Sequence, residues 1–342
     1  MPESTSVDTT LPATGRKVAV LGPIPRDHVT THRGEVIDKY GCVLYTVAAL
    51  ASLLGPDDVV RPIVHVREHD LEPIHQLLAP YPNVDLTGIR SASDRGDVVE
   101  LTFRDQNFRD ERQTGFMHPI SPADVEFALD SDFFVCVPIT DYEVAQPTLA
   151  YIRAHSAGAI LLDCHGPTVA LTAAGQRVSR LWIDRDAWLP TIDIMKMNLE
   201  EAGCAWFPPP GADPDGLGAP LPKEQLPEFA EHCLDRGVKA VCVTLDEEGC
   251  ALYFRGADGT LREEIVGRIP VEHVVDTTGC GDSFAAGMAY GYMVSGDFVT
   301  AARYGNAMGA QRCSGKDLSV YLPLADTNRQ ISAAYGEPVA AP

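Results

Sequence analysis

Short β-branched runs that end at a glycine or a polar turn recur along this chain, and segments with apolar residues at helical spacing lie between them. "KVAVLG" (17–22) reads as a buried strand reaching a loop, and "YTVAALASLLG" (45–55) as a helix stopped by glycine. The pairing repeats in "RPIVHV" and "EPIHQLLAPY", then in "DFFVCVPI", "AQPTLAYIRAH" and "GAILLDCHG". "DIMKMN" predicts a strand leading into a helix over "LEEAGCAWF". "KAVCVTL" and "CALYFRG" predict a strand and its hairpin partner, "REEIVGRIPVEHVV" further extended segments, and Asp282–Ser295 and Phe298–Cys313 two closing helices. Strands alternating with helices predict an α/β fold, a doubly wound, mostly parallel sheet flanked by helices.

Two stretches break this rhythm. "HVTTHRGEVI" (28–37) and "VVELTFRDQNFRDERQTGF" (98–116) alternate apolar and polar residues with period two, as half-exposed strands do. They predict a small β-sheet lid, with strands drawn from about 28–40 and 84–116, inserted in one domain spanning 17–330 between tails at 1–16 and 331–342. Arg104, Arg109 and Arg112 on this lid are expected to face solvent. "FPPPGADPDGLGAPLPKEQ" (207–225), rich in proline and glycine, predicts a surface excursion.

Composition narrows the function classes. The 342 residues carry 48 acidic against 27 basic side chains, a formal charge of −21, which disfavours nucleic acid and anionic membranes as partners. An anionic substrate would need a locally positive site. The nine cysteines are scattered without a Cys-x-x-Cys pair, which fits reduced thiols in a cytoplasmic protein better than a disulfide framework or zinc site. No apolar run is long enough to span a membrane, and the first residues lack a signal-peptide pattern. His65 and His69 stand four apart, but no glutamate occupies the metalloprotease position beside them.

The chemistry concentrates in "DTTGCGDSFAAG" (276–287). Its glycines let backbone approach a ligand, and N–H groups at a helix start point toward an anion. Asp282 directly follows, where a carboxylate can simply complement the helix dipole or can take a proton from an attacking hydroxyl. Phosphoryl transfer asks for little beyond such a base, in-line positioning and neutralised charge. No Walker loop occurs anywhere in the chain.

These residues resemble the C-terminal signature of the PfkB, or ribokinase-like, carbohydrate kinase family. "GPIPRDHV" (22–29) is similar to that family's first loop, "KMNLEEAG" carries its Asn-x-x-Glu motif, and "VTLDEEGCALY" and "ARYGNAMGAQRCSG" resemble its nucleotide-side segments. The resemblance covers about Lys17 to Leu324. It implies an ATP-dependent kinase acting on a hydroxymethyl group of a small sugar or polyol, with Asp282 as general base and the N–H groups of Gly279, Cys280 and Gly281 as anion hole. Asp27, Gly41, Cys42 and Thr46 would meet the acceptor. Asn198, Thr244, Asp246, Gly249, Thr278, Asn306 and Gly315 would lie on the nucleotide side. Glu201 would hold Mg²⁺ through water, and Asp276 marks a loop where relatives place a monovalent cation such as K⁺. Pairing of two copies through the lid is common among relatives.

Read singly, several of these residues have plainer roles. Asn198 and Glu201 are a helix cap with its capping-box acid, and Asp27 is a turn residue. Their joint occurrence, in order and at strand-to-helix junctions, favours the kinase. Departures from the family pattern leave the acceptor open: Cys42 stands where glycine is common, Thr46 where asparagine is, and Asp246 replaces a glycine. "LLDCHGPT" lacks the Asp-x-Asn-x-Arg pattern of sugar-specific members. A nucleoside or inositol kinase, or a catalytically silent sugar- or nucleotide-binding relative, therefore stands beside the sugar kinase.

Overall fold

The computed structural model describes residues 15–104, 109–206 and 219–336. Residues 1–14 and 337–342 of the predicted tails, residues 207–218 of the Pro/Gly-rich excursion and the Arg109 side chain lie outside the described residues.

The strands, in chain order, are β1 (Lys17–Leu21), β2 (Arg26–Thr30), β3 (Val36–Tyr40), β4 (Val59–His65), β5 (Ile89–Arg90), β6 (Val98–Phe103), β7 (Arg109–Gly115), β8 (Phe133–Cys136), β9 (Ala159–Asp163), β10 (Val169–Leu171), β11 (Arg177–Ser179), β12 (Ile194–Asn198), β13 (Ala240–Thr244), β14 (Cys250–Arg255) and β15 (Leu261–Val266). Nine of them form one sheet in the order β15-β14-β13-β12-β9-β8-β1-β4-β5. From β13 to β5 every pairing is parallel, and β14 and β15 close one edge as antiparallel strands. Parallel strands are covered on both faces, which is why "VAVL" (18–21) and "FFVC" are apolar throughout and fully buried.

A second sheet, β3-β2-β6-β7, is the lid. β2 and β3 form a hairpin around Gly34, β6 and β7 the second antiparallel pair, and β2 runs parallel to β6. The lid starts later than the alternation suggested: Ile89–Arg90 pairs with β4 in the main sheet, and the lid strands resume only at Val98. A third closing helix, Leu324–Tyr335, also follows the two that were expected. It buries only Thr327 and Ile331, too thin an apolar stripe to stand out in the sequence.

The helices Cys280–Ser295 and Phe298–Cys313 pack against each other as an antiparallel pair. Glycines permit the closeness: a Cβ on Gly287 would lie 2.3 Å from the Tyr304 carbonyl oxygen, and one on Gly291 2.7 Å from the Ala301 Cα. This pair brings the start of the first helix beside the end of the second, at the carboxyl ends of the parallel strands, where ligands of such sheets bind.

Candidate active site

Asp282 lies in the first turn of its helix, which begins from Gly279 in the left-handed region at φ 83°. A Cβ there would sit 2.2 Å from the Tyr45 ring, so both conformation and space require glycine. Among the described residues the N–H groups of Gly279 and Gly281 take no backbone acceptor, which leaves them available to an anion. The expected third donor is spent: the Cys280 N–H donates to the Thr277 carbonyl at 3.2 Å. Burial, and then the charge of Asp163, push the Asp282 carboxyl up to about 6.

Beneath the turn lies a buried ion pair, Lys196 Nζ to Asp163 Oδ2 at 2.8 Å. Burial alone would discharge this lysine, but Asp163 and Glu201 hold it protonated. A Cβ on Gly281 would approach Lys196 Nζ to 2.8 Å, so the ammonium sits directly under the anion-binding turn. Glu201 is the capping-box acid: the Asn198 N–H donates to its Oε2 at 2.9 Å, and Asn198 Oδ1 accepts from the Glu201 N–H at 2.8 Å. Its other oxygen, Oε1, is 2.9 Å from His165 Nδ1. Burial raises the Glu201 carboxyl, but His165 and Lys196 outweigh it and hold the group below its usual range. The cap and the proposed metal role thus fall on the same residues. Among the described residues no cluster of three His, Cys, Asp or Glu side chains is placed to hold a metal ion.

On the acceptor side, Asp27 is 5% exposed, and Gly41 leaves room for it, since a Cβ there would lie 2.9 Å from Asp27 Oδ2. Burial pushes the Asp27 carboxyl up to about 7, against the pull of Lys39 and Arg177. Cys42 is buried, with its Sγ 3.0 Å from the Val137 carbonyl oxygen and 3.5 Å from Asp282 Oδ1. Its φ of 50° explains why glycine is common at this position, and Asp246, the other replaced glycine, has φ 49°. Thr46 does not face the acceptor. It is fully buried and donates from Oγ1 to the Asp282 backbone carbonyl at 3.2 Å, bracing the helix start.

Thr244, Asp246, Gly249 and Asn306 line a cavity of about 230 Å³ together with Cys280, Gly281 and Cys313. Asn306 reaches it as a tie, its Nδ2 donating to the Val266 and Gly267 carbonyls and to Tyr335 Oη. Asn198 is next to Thr244 in register on the neighbouring strand. Thr278 and Gly315 stand apart, both engaged around Asp276. The Thr278 N–H donates to Asp276 Oδ1 at 2.9 Å, and the Gly315 carbonyl accepts from Arg312 at 2.6 Å. Arg312 is wholly buried, stacks 4.5 Å from the centre of the Tyr45 ring and pairs with Asp276 at 2.9 Å. Lys39 of the lid reaches the same carboxylate at 3.1 Å. Two positive groups therefore already hold Asp276 where a monovalent cation was expected.

Five residues of this site escaped the sequence reading: Asp163, His165, Arg177, Lys196 and Arg312. Lys196 left a signal, a lone charge inside the apolar "DIMKMN" strand that burial would force to find a partner. Arg177 left none. It arrives from β11 to place Nη2 2.8 Å from His165 Nε2 and Nε 3.3 Å from Glu111 of the lid. Of the lid arginines, Arg104 and Arg112 are exposed and pair with Asp110 and Glu100, as the solvent-facing reading has it.

Residues 178–323 match the family model described as pfkB family carbohydrate kinase. An uncharacterized sugar kinase of Archaeoglobus fulgidus is 40% identical over 82 residues, 24% of this chain and 30% of that protein. The 2-dehydro-3-deoxygluconokinase of Bacillus subtilis is 36% identical over 132 residues, 38% of this chain and 36% of that protein. This chain spans about a third of the length of the curated relatives it matches. In overall fold it is similar to Arabidopsis thaliana ribokinase complexed with ribose and ATP, with TM-score 0.68, 18% identity and coverage of 93% of this chain and 99% of that one. It is also similar to a Burkholderia thailandensis nucleoside kinase in complex with ADP-inosine, with TM-score 0.69, 18% identity and coverage of 95% and 98%.

Proposed function

With residues 178–323 matching the pfkB carbohydrate kinases and the described chain carrying the ribokinase-like fold, we propose that this protein transfers the γ-phosphoryl group of ATP to a hydroxymethyl group of a small sugar or polyol. The observation that carries the proposal is the junction at Asp282. A carboxylate raised to about 6 adjoins two glycine N–H groups without backbone acceptors, one of which, on Gly281, belongs to the Thr244–Asn306 cavity wall, and its charge reaches Asp27. A base tuned near neutrality accepts the hydroxyl proton as the oxygen attacks phosphorus, and the glycine N–H groups and Lys196 take up charge on the phosphoryl oxygens. Mg²⁺, held through water by Glu201 with Asn198, would supply further neutralisation of the phosphate charge. Asp27, when ionised, accepts from neighbouring acceptor hydroxyls.

Asp27 would serve a sugar, a polyol or the ribose of a nucleoside alike, so the acceptor is decided by assay. We place the protein in the cytoplasm, where thiols stay reduced. The test is Mg·ATP turnover with ribose, fructose, myo-inositol, 2-dehydro-3-deoxygluconate, adenosine and cytidine, with Asp282→Asn as control. Turnover with one acceptor, lost in the variant, supports the kinase. ATP binding without acceptor-dependent turnover would favour the silent relative.

A further inference from the structure

All nine cysteines are free, and seven of them are buried. The two that are half-buried, Cys280 and Cys313, have their sulfurs 3.0 Å apart. They are the first residue of one helix and the last of its antiparallel neighbour, and both line the nucleotide-side cavity. The backbone holds them there: the Val275 N–H, just ahead of the glycine turn, donates to the Cys313 carbonyl at 2.8 Å. Bonding would need the sulfurs to close by only about 1 Å, to the usual S–S length. A second close pair, Cys242 with Cys250, is sealed inside the main sheet.

We propose that Cys280 and Cys313 are a reversible dithiol–disulfide pair in the cavity wall, oxidised by a hydroperoxide and reset by a thiol reductant. The Cys313 sulfur, as thiolate, attacks a peroxide oxygen. The O–O bond breaks, and with hydrogen peroxide one water leaves and a sulfenic acid remains. The Cys280 thiol then attacks that sulfur, the S–O bond breaks and a second water leaves. Two thiols and one hydrogen peroxide thus become one disulfide and two waters, the sulfurs losing two electrons and the peroxide gaining them. The order of attack follows from the surroundings. The hydrogen bond shared with Cys280, with Arg312 and Arg268 beside it, brings the Cys313 thiol down to about 7 and so puts it first.

The bridge would fasten the Gly279–Gly281 turn to the far helix, and its effect on nucleotide rests on the kinase reading of the cavity. One equivalent of hydrogen peroxide on the full chain should remove two of the nine thiols. Non-reducing digestion should then yield a single cross-linked peptide pair containing Cys280 and Cys313, which dithiothreitol releases. Misplacing one anion-binding N–H should weaken ADP binding about tenfold, reversibly, and Cys313→Ser should abolish both link and effect. Reversal in the unmodified protein keeps the test independent of how that variant folds. A link mapped to Cys242 and Cys250, or oxidation of Cys313 without a bridge, overturns the proposal. A mapped bridge with unchanged ADP affinity overturns its consequence for the cavity. Reduced protein that binds no ADP refutes the kinase reading instead, and the peptide map alone then decides the disulfide.

Discussion

At pH 8 Asp282 carries its charge against burial and against Asp163, and this separates what the residue does for chemistry from what it does for stability. Asp282→Asn removes the base and should lower turnover by about 10²–10⁴-fold. The same change should stabilise the protein. A carboxyl whose folded-state value is raised to about 6 binds its proton more tightly folded than unfolded. The charge therefore costs nothing below about pH 4 and becomes a full burden as pH rises through 6, roughly 3 kcal/mol. Thermal melts should show the variant more stable than the parent at pH 8 and equal to it at pH 4. Equal melting at both would sink the buried-charge account. Activity of the parent should fall as pH drops below about 6, read from initial rates in overlapping buffers. Gly279→Ala tests the turn: at φ 83° and with Tyr45 in the way, it should cost about 2 kcal/mol or more in denaturant melts. A melt unchanged from the parent would mean that the turn relaxes around a side chain.

At the scale of elements, the loop carrying Asp276 is held between the buried Arg312 of one helix and Lys39 of the lid. With those cations already on the carboxylate, turnover should not respond to K⁺ when KCl replaces tetramethylammonium chloride at constant ionic strength. Several-fold activation would show that the ion displaces one of them. These same elements mark what could be read beforehand. The elements that carry Gly41, Asn198, Glu201 and Asp282 were legible because each joins an apolar run to a polar turn, a local signature, whereas Asp27 lies inside the lid strand β2 and not in a turn. Thr46 was misread because its helix is buried nearly all round, so periodicity could not say which side met the acceptor. Arg177 was invisible because its partners His165 and Glu111 are brought to it by the sheet and the lid, a contact no spacing encodes. Cys42 and Asp246 could be seen as departures from a glycine pattern, but only the backbone gave them a common cause, a left-handed φ.

For the molecule as a whole, the lid's face toward the body holds Val29, Val99 and Leu101, while Val36 and Ile37 at its edge are exposed, Val36 by 72%. An edge strand with bare β-branched side chains invites pairing, and we expect two copies to meet there. Sedimentation should report a dimer that Val36→Asp dissociates, and a monomer at all concentrations would overturn it. No helix among the described residues is long and apolar enough to cross a membrane.

Charge is one of the ties between lid and body, through Lys39 to Asp276 and Glu111 to Arg177, beside the backbone bond from the Gln113 N–H to the Gly175 carbonyl. Salt screens such pairs, the less so the more deeply they are buried. If the lid opens at these pairs, high salt should loosen the latch and shorten the stay of whatever lies beneath it, and dilute solution should lengthen it. If product release limits the cycle, added salt should quicken turnover while weakening hold on the acceptor, so that kcat and KM climb together.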